Sequence, residues 1–175
     1  MAQEITFDPS KLTVRDIDAL FKAETEMDFD GMAAGMAKVC VKIEGYNGDI
    51  SAQTFSDLKY AQWKRVMALY LEAVRNQNIS EIEVAGLAYD LKNLSARDMV
   101  ALQRSMRRID TKTIIDVLTR NVTDCPTAWG KPNKAATWQA RSFFGEVMPV
   151  VNAIVRDAND GEKNESGTSI FGFQV

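Results

Sequence analysis

The chain contains no histidine. That absence removes the side chain that titrates nearest neutral pH, the commonest general base and the commonest transition-metal ligand. Catalysis would fall to carboxylates, Lys, Tyr or Cys alone, so no catalytic residue, metal site or cofactor is expected. Cysteine is scarce: Cys40 and Cys125 are the only two, and they do not occupy equivalent positions of the repeat described below, which favours two reduced thiols over a disulfide. There is no glycine-rich phosphate loop, no Cys/His metal spacing and no nucleophile elbow. No apolar run approaches the roughly 18 residues of a membrane span, and the opening residues lack the basic start and apolar stretch of a signal peptide. Excess positive charge is missing too. With 21 Lys and Arg against 24 Asp and Glu, the net charge is −3, which argues against a globally electrostatic nucleic-acid binder, and with no spanning segment no membrane partner is expected. These exclusions point to a soluble, cytoplasmic, non-enzymatic protein.

What is present suffices for a packed core. Hydrophobic residues make up 46% and charged residues 26% of 175 positions, close to globular averages, and a chain of this length can bury roughly 70% of its unfolded surface.

The organising feature is a repeat. Residues 7–20 return as residues 89–102 without a gap: Asp8/Asp90, Leu12/Leu94, Arg15/Arg97, Asp16/Asp98, Ala19/Ala101 and Leu20/Leu102 are identical, while Phe7/Tyr89, Thr13/Ser95, Ile17/Met99 and Lys22/Arg104 keep their chemistry. The offset of 82 continues through Asp28/Asp110, Met32/Ile114 and Met36/Leu118, then becomes 81 for Trp63/Phe144, Val66/Val147, Met67/Met148 and Arg75/Arg156. The expected architecture is mainly α: two tandem copies of a three-helix unit at 1–78 and 79–157, each preceded by a short extended segment, then a disordered, flexible tail at 158–175 with an apolar end.

Local signals place the elements. Residues 3–7 alternate as a short strand does, Pro9 ends it, and Thr13 with Asp16 forms a capping-box-like helix start. A helix is expected from about Val14 to Thr25 with Ile17, Leu20 and Phe21 inward. A second helix is expected to reach about Val41, with Met32, Met36 and Val39/Cys40 on its apolar face, and a long third one from about Phe55 to Asn76. In the second copy Ser95 caps a helix to about Arg107 and Asp110 caps the next. A long helix starts near Thr137 with a kink or break near Pro149. Residues 81–84 alternate as a further short strand would, and the two extended openings are candidates to pair with each other.

Candidate interaction residues follow from this layout. Met32 and Met36 lie four apart on a helix rich in small residues, a pattern of gap-filling core and also of an adaptable docking face. Trp129 sits in a Pro-containing loop with Cys125, Lys131 and Lys134, either as a partner contact or tucked onto the core. Ile170, Phe171 and Phe173 form an apolar peptide after a polar linker, either a groove-filling tail or an end without a role. Residues 7–39 carry four basic and seven acidic side chains, and residues 89–121 seven basic and four acidic. This opposition fits pairing about a pseudo-twofold, head-to-tail association, or drift of solvated faces. Arg104, Arg107, Arg108, Lys112 and Arg120 form a basic patch whose alternative use is phosphate contact.

The phrase Phe7, Asp8, Leu12, Thr13, Asp16, followed by an Ala- and Met-rich helix, resembles the start of the small helical tail assembly chaperones of long-tailed bacteriophages. The resemblance covers about the first 75 residues of each copy. It implies a non-enzymatic protein, working as an oligomer in the host cytoplasm, that coats a long helical tape measure protein and recruits tail tube subunits. The alternatives are a small nucleic-acid-binding regulator using the basic helices of the second copy, and a structural component of the virion.

Overall fold

A computed structural model describes residues 4–77, 79 and 84–164, without the side chains of Asn93 and of residues 161–164. The chain is mainly helical and divides into two compact units. One comprises Met1–Ser80 with Gln139–Val147, the other Glu81–Trp138 with Met148–Val175. The division was expected at 78/79, with 79–157 as one copy. Residues 139–147, however, belong with the first unit.

In the first unit strand β1 (Ile5–Phe7) runs into a 3-10 turn at Pro9–Lys11. The Asp8 carboxylate caps that turn, accepting from the Ser10 N–H at 3.0 Å. Helix α1 (Val14–Glu26) starts at a capping box in which the Thr13 hydroxyl accepts from the Asp16 N–H and the Asp16 carboxylate accepts from the Thr13 N–H, satisfying two backbone donors that a helix start otherwise leaves unpaired. Val14, Ile17, Leu20 and Ala23 are its buried stripe. The helix stops where Met27 turns left-handed at φ 55°, and Asp28 at once caps α2 (Phe29–Val39) through the Gly31 N–H. The chain then becomes strand β2 (Cys40–Ile43), which pairs antiparallel with β1, Ile5 opposite Ile43 and Phe7 opposite Cys40. The expectation of a helix to Val41 overran by two residues, because the apolar pattern continues while the backbone switches to pairing. Where one long helix was expected, a short α3 (Ala52–Ser56) and then α4 (Tyr60–Arg75) occur. Phe7 packs its ring on Phe55 and Tyr70, and Phe29 on Trp63.

In the second unit a 3-10 turn and two helices stand 82 positions after those of the first, between two short strands. Strand β3 (Ala88–Tyr89), a 3-10 turn at Leu91–Asn93 capped by Asp90, helix α5 (Ala96–Arg108), helix α6 (Thr111–Asn121) and strand β4 (Val122–Asp124) follow in the same order. Ser95 and Asp98 make the capping box, Ile109 takes the left-handed turn at φ 54°, and Asp110 caps α6. Met27 and Ile109 are the non-glycine residues with positive φ among those described. β3 pairs with β4, and the bulge between Ala88 and Tyr89 falls at the equivalent of that between Thr6 and Phe7. Each opening strand therefore finds its partner after its own second helix, correcting the expectation that the two openings pair together. The expected strand at 81–84 falls largely outside the described residues.

After β4 the loop is tied down. The Trp138 indole N–H donates to the Pro132 carbonyl at 2.8 Å, the Thr137 hydroxyl to that of Lys131 at 2.7 Å, and the Cys125 thiol faces the Gly130 carbonyl at 3.2 Å. Helix α7 (Ala135–Gln139) is short, a π turn spans Phe143–Val147, and α8 (Met148–Asn164) follows. The break thus lies before the π turn. Pro149 sits in the first turn of α8, where its missing N–H costs little. The polar segment expected to leave the fold at 158 is helical through Asn164.

Candidate binding groove

The geometry that bears on function begins with how the first unit holds residues 139–147. Ser142 forms an antiparallel bridge with Thr13. The Val14 N–H donates to the Arg141 carbonyl at 3.1 Å, the Phe143 N–H to the Leu12 carbonyl at 2.8 Å, and the Ser142 hydroxyl to the Ser10 carbonyl at 2.7 Å. Val14 is the first residue of α1, so the segment supplies an acceptor to an otherwise orphaned helix-start donor. Phe143 and Phe144 are both buried, their rings edge to face at 5.0 Å. The Ser142 hydroxyl also accepts from the Gly145 N–H at 3.0 Å, and a Cβ on Gly145 would stand 3.0 Å from that oxygen. A glycine three residues after the serine is what lets the turn close. The π turn is the consequence: the Val147 N–H reaches the Ser142 carbonyl, five residues back, at 3.0 Å.

At the corresponding place the second unit carries an open groove. It has a volume of about 770 Å³ and is lined by Leu91, Lys92, Leu94, Ala96, Met99, Val100, Gln103 and, from α8, Asp157, Ala158 and Asn159. Lys92, Leu94 and Ala96 stand 82 positions after Ser10, Leu12 and Val14. Leu12 is 1% exposed and Ile17 is fully buried, but Leu94 and Met99 are only half-buried and Val100 is 60% exposed. A smaller pocket of about 320 Å³ shares Val100 and Gln103 and is lined further along α5 by Arg104, Arg107 and Arg108.

An ion pair joins the two helices of the hairpin in each unit. Lys38 Nζ meets Asp16 Oδ2 at 2.7 Å, and Arg120 Nη2 meets Asp98 Oδ1 at 2.8 Å, again 82 apart at both ends. Burial works to raise both carboxyl pKa values, but hydrogen bonds from the cap residue and the cationic partner outweigh it and hold both below the usual range. The Tyr89 hydroxyl donates to Asp157, beside the groove. Burial and that carboxylate push the Tyr89 pKa up to about 12.

The residues singled out from sequence divide as follows. Met32 and Met36 are 7% and 0% exposed and are core of the first unit, which corrects their reading as a docking face: the small residues around them admit a neighbour from their own unit. Trp129 is half-buried, edge-on to Trp138 at 6.0 Å, so it is tucked onto its own unit. Arg104, Arg107, Arg108 and Lys112 are exposed, whereas Arg120 is engaged with Asp98. Ile170, Phe171 and Phe173 lie outside the described residues. Among the described residues no group of three or more His, Cys, Asp and Glu is placed to hold a metal ion, and no helix is long and apolar enough to cross a membrane. The signal that sequence reading missed is Val100. It stands where the first copy has Asp18, an apolar residue on an otherwise solvated face. Comparison with family models, curated proteins and solved structures finds no match.

Proposed function

We propose that the chain is a non-enzymatic protein-binding and assembly protein built from two tandem copies of one module, and that it serves as a tail assembly chaperone of a long-tailed bacteriophage. The observation that carries the binding reading is the capture of residues 139–147 by residues 10–14. The module holds an apolar segment far away in sequence through backbone pairing and two buried phenylalanines. Backbone pairing gives affinity with little demand on sequence, and apolar pockets add selectivity. A chaperone for a long, repetitive, apolar helical protein needs that combination. The tape measure protein and tail tube subunits are its proposed partners, and a homo-oligomer its proposed working state. Co-expression with a long coiled-coil tape measure protein of a long-tailed bacteriophage tests this: the two are expected to co-purify, with the partner soluble only in the presence of this chain. A partner equally soluble alone, with no complex on size exclusion, overturns the reading.

One observation favours a second reading. Arg104, Arg107 and Arg108 are exposed together along α5, as a phosphate-contacting helix requires. Nucleic-acid binding that falls steeply with salt would support it.

A further inference from the structure

The segment that the first unit holds is Ser142, Phe143, Phe144, Gly145, and the chain carries a near copy of it, Ser169, Ile170, Phe171, Gly172, with Ile in place of the first Phe. The dipeptide Phe-Gly occurs at these two places and nowhere else in the sequence. The spacing has a structural reason. The serine hydroxyl bonds both the Ser10 carbonyl and the N–H of the glycine three residues on, and the first aromatic presents its N–H to Leu12 while burying its ring. A serine, an apolar residue, Phe and Gly in that order are the parts the docking uses. The second unit offers the matching receptor, open among the described residues, in Lys92, Leu94, Ala96, Met99 and Val100.

We propose that residues 169–172 dock in cis into the groove of the second unit, in the register in which residues 142–145 dock on residues 10–14. With a shift of 27 in the ligand and 82 in the receptor, the Ala96 N–H donates to the Thr168 carbonyl, the Ile170 N–H to the Leu94 carbonyl, and the Ser169 hydroxyl to the Lys92 carbonyl. Ile170 and Phe171 cover Met99 and Val100. The tether permits it. Asp157, Ala158 and Asn159 form the groove's edge, α8 carries the chain only about 7.5 Å further to Asn164, and the five steps from there to Ser169 span up to about 17 Å. Charge bears on it as well: the sequence from 160 to 165 carries Asp160, Glu162 and Glu165 against Lys163, and the groove's lining includes the exposed Lys92 as well as Asp157, while Arg104 and Arg107 line the neighbouring pocket. The two motifs differ at the next position, where Phe173 stands in place of Glu146. The Ser142 N–H donates to the Glu146 carboxylate at 2.7 Å, and the tail has no carboxylate at that position to repeat the bond.

The proposal does not depend on the phage reading, and its test uses the chain alone. Amide exchange at Ala96, the first residue of α5, is measured by NMR in the full chain, in a chain ending at Asn164, and in full-length Val100→Asp, whose exposed site leaves folding intact. Exchange in the full chain is expected to be slower than in the other two by about tenfold, independent of protein concentration. Equal exchange in all three overturns the proposal, as does protection that survives Val100→Asp. Protection that fades on dilution also overturns it, since the tail would then come from a second molecule. Failure here leaves the co-expression experiment untouched, and the reverse also holds.

Discussion

Removing the Asp98 side chain is expected to cost the second unit more than removing Asp16 costs the first, although the two carboxylates do the same job. Asp98 accepts from the Ser95 N–H at 3.3 Å, the Ser95 hydroxyl at 2.9 Å and Arg120 Nη2 at 2.8 Å, with its side chain 9% exposed. Asp16 makes the equivalent three contacts with its side chain 23% exposed. Losing one half of a capping box costs about 1 kcal/mol, and a hydrogen bond to a charged acceptor contributes about 1.5–3 kcal/mol when shielded. The exposed end of the Arg120 pair adds at most about 1 kcal/mol. Asp98→Ala is therefore expected to destabilise by about 2–3 kcal/mol and Asp16→Ala by about 1–2 kcal/mol. Arg120→Ala is expected to cost about 1 kcal/mol, because Arg120 is more than half exposed and Asp98 keeps its Ser95 bonds. Urea unfolding read from tryptophan fluorescence in a Trp63→Phe background isolates the second unit, since Trp129 and Trp138 both lie in it. The pH dependence has a definite sign. A carboxyl held low in the folded state stabilises it fully above the unfolded pKa of about 3.9, and that contribution disappears as pH falls through the lower folded value. Asp98→Asn should flatten this acid limb. Arg120→Ala as costly as Asp98→Ala, with the double variant equal to the sum, would refute the reasoning, because the two sites would then act independently.

Three further outcomes follow from the first unit and from the groove's edge. Met27 is 80% exposed in the left-handed region at φ 55°, so Met27→Gly is expected to raise the thermal midpoint, by about 0.5–1 kcal/mol of stability, through relief of Cβ strain. The Tyr70 hydroxyl is buried without a hydrogen-bond partner among the described residues and stands 3.0 Å from where a Cβ on Gly35 would lie. Tyr70→Phe is expected to be neutral or stabilising, Gly35→Ala destabilising, and Gly35→Ala within Tyr70→Phe much milder, all by chemical denaturation. In spectrophotometric titration Tyr89 should ionise near pH 12, and Asp157→Asn should bring it down toward 10, the ordinary tyrosine value.

The elements that local chemistry decides were legible in the sequence. α1, α5 and α6 begin where Thr13, Ser95 and Asp110 say they should, because a cap is a bond between residues three apart. The repeated phrase itself is explained by local structure: Asp8 caps a turn, Leu12 fills the core, and Thr13 with Asp16 starts a helix. What it specifies is a strand–turn–helix corner. Features set by distant partners were not legible. β2 reads as a helix end until β1 is there to pair with it, and the π turn at Phe143–Val147 arises because Ser142 is held by residues 10–14. The groove left one trace, the exchange of Asp18 for Val100, and a second in the recurrence of serine, an apolar residue, Phe and Gly.

Energetics decide whether a four-residue motif suffices to fill that groove. Burying Ile170 and Phe171 contributes about 1.5–3 kcal/mol each, and three backbone and hydroxyl bonds about 1 kcal/mol each net. Ordering four residues costs about 1–2 kcal/mol apiece. Mid-range values leave about 1.5 kcal/mol in favour of docking, a roughly tenfold preference, because the tether removes the translational cost that a free peptide would meet. A free peptide of the same sequence would bind far too weakly to detect, while in the proposed docking the attached one would spend about nine-tenths of its time bound. An occupant held this lightly protects Ala96 measurably yet yields to any partner segment that adds one more buried aromatic or one more backbone bond. The missing counterpart of Glu146 is what keeps the balance there, since its bond to the serine N–H would hold the tail far more firmly.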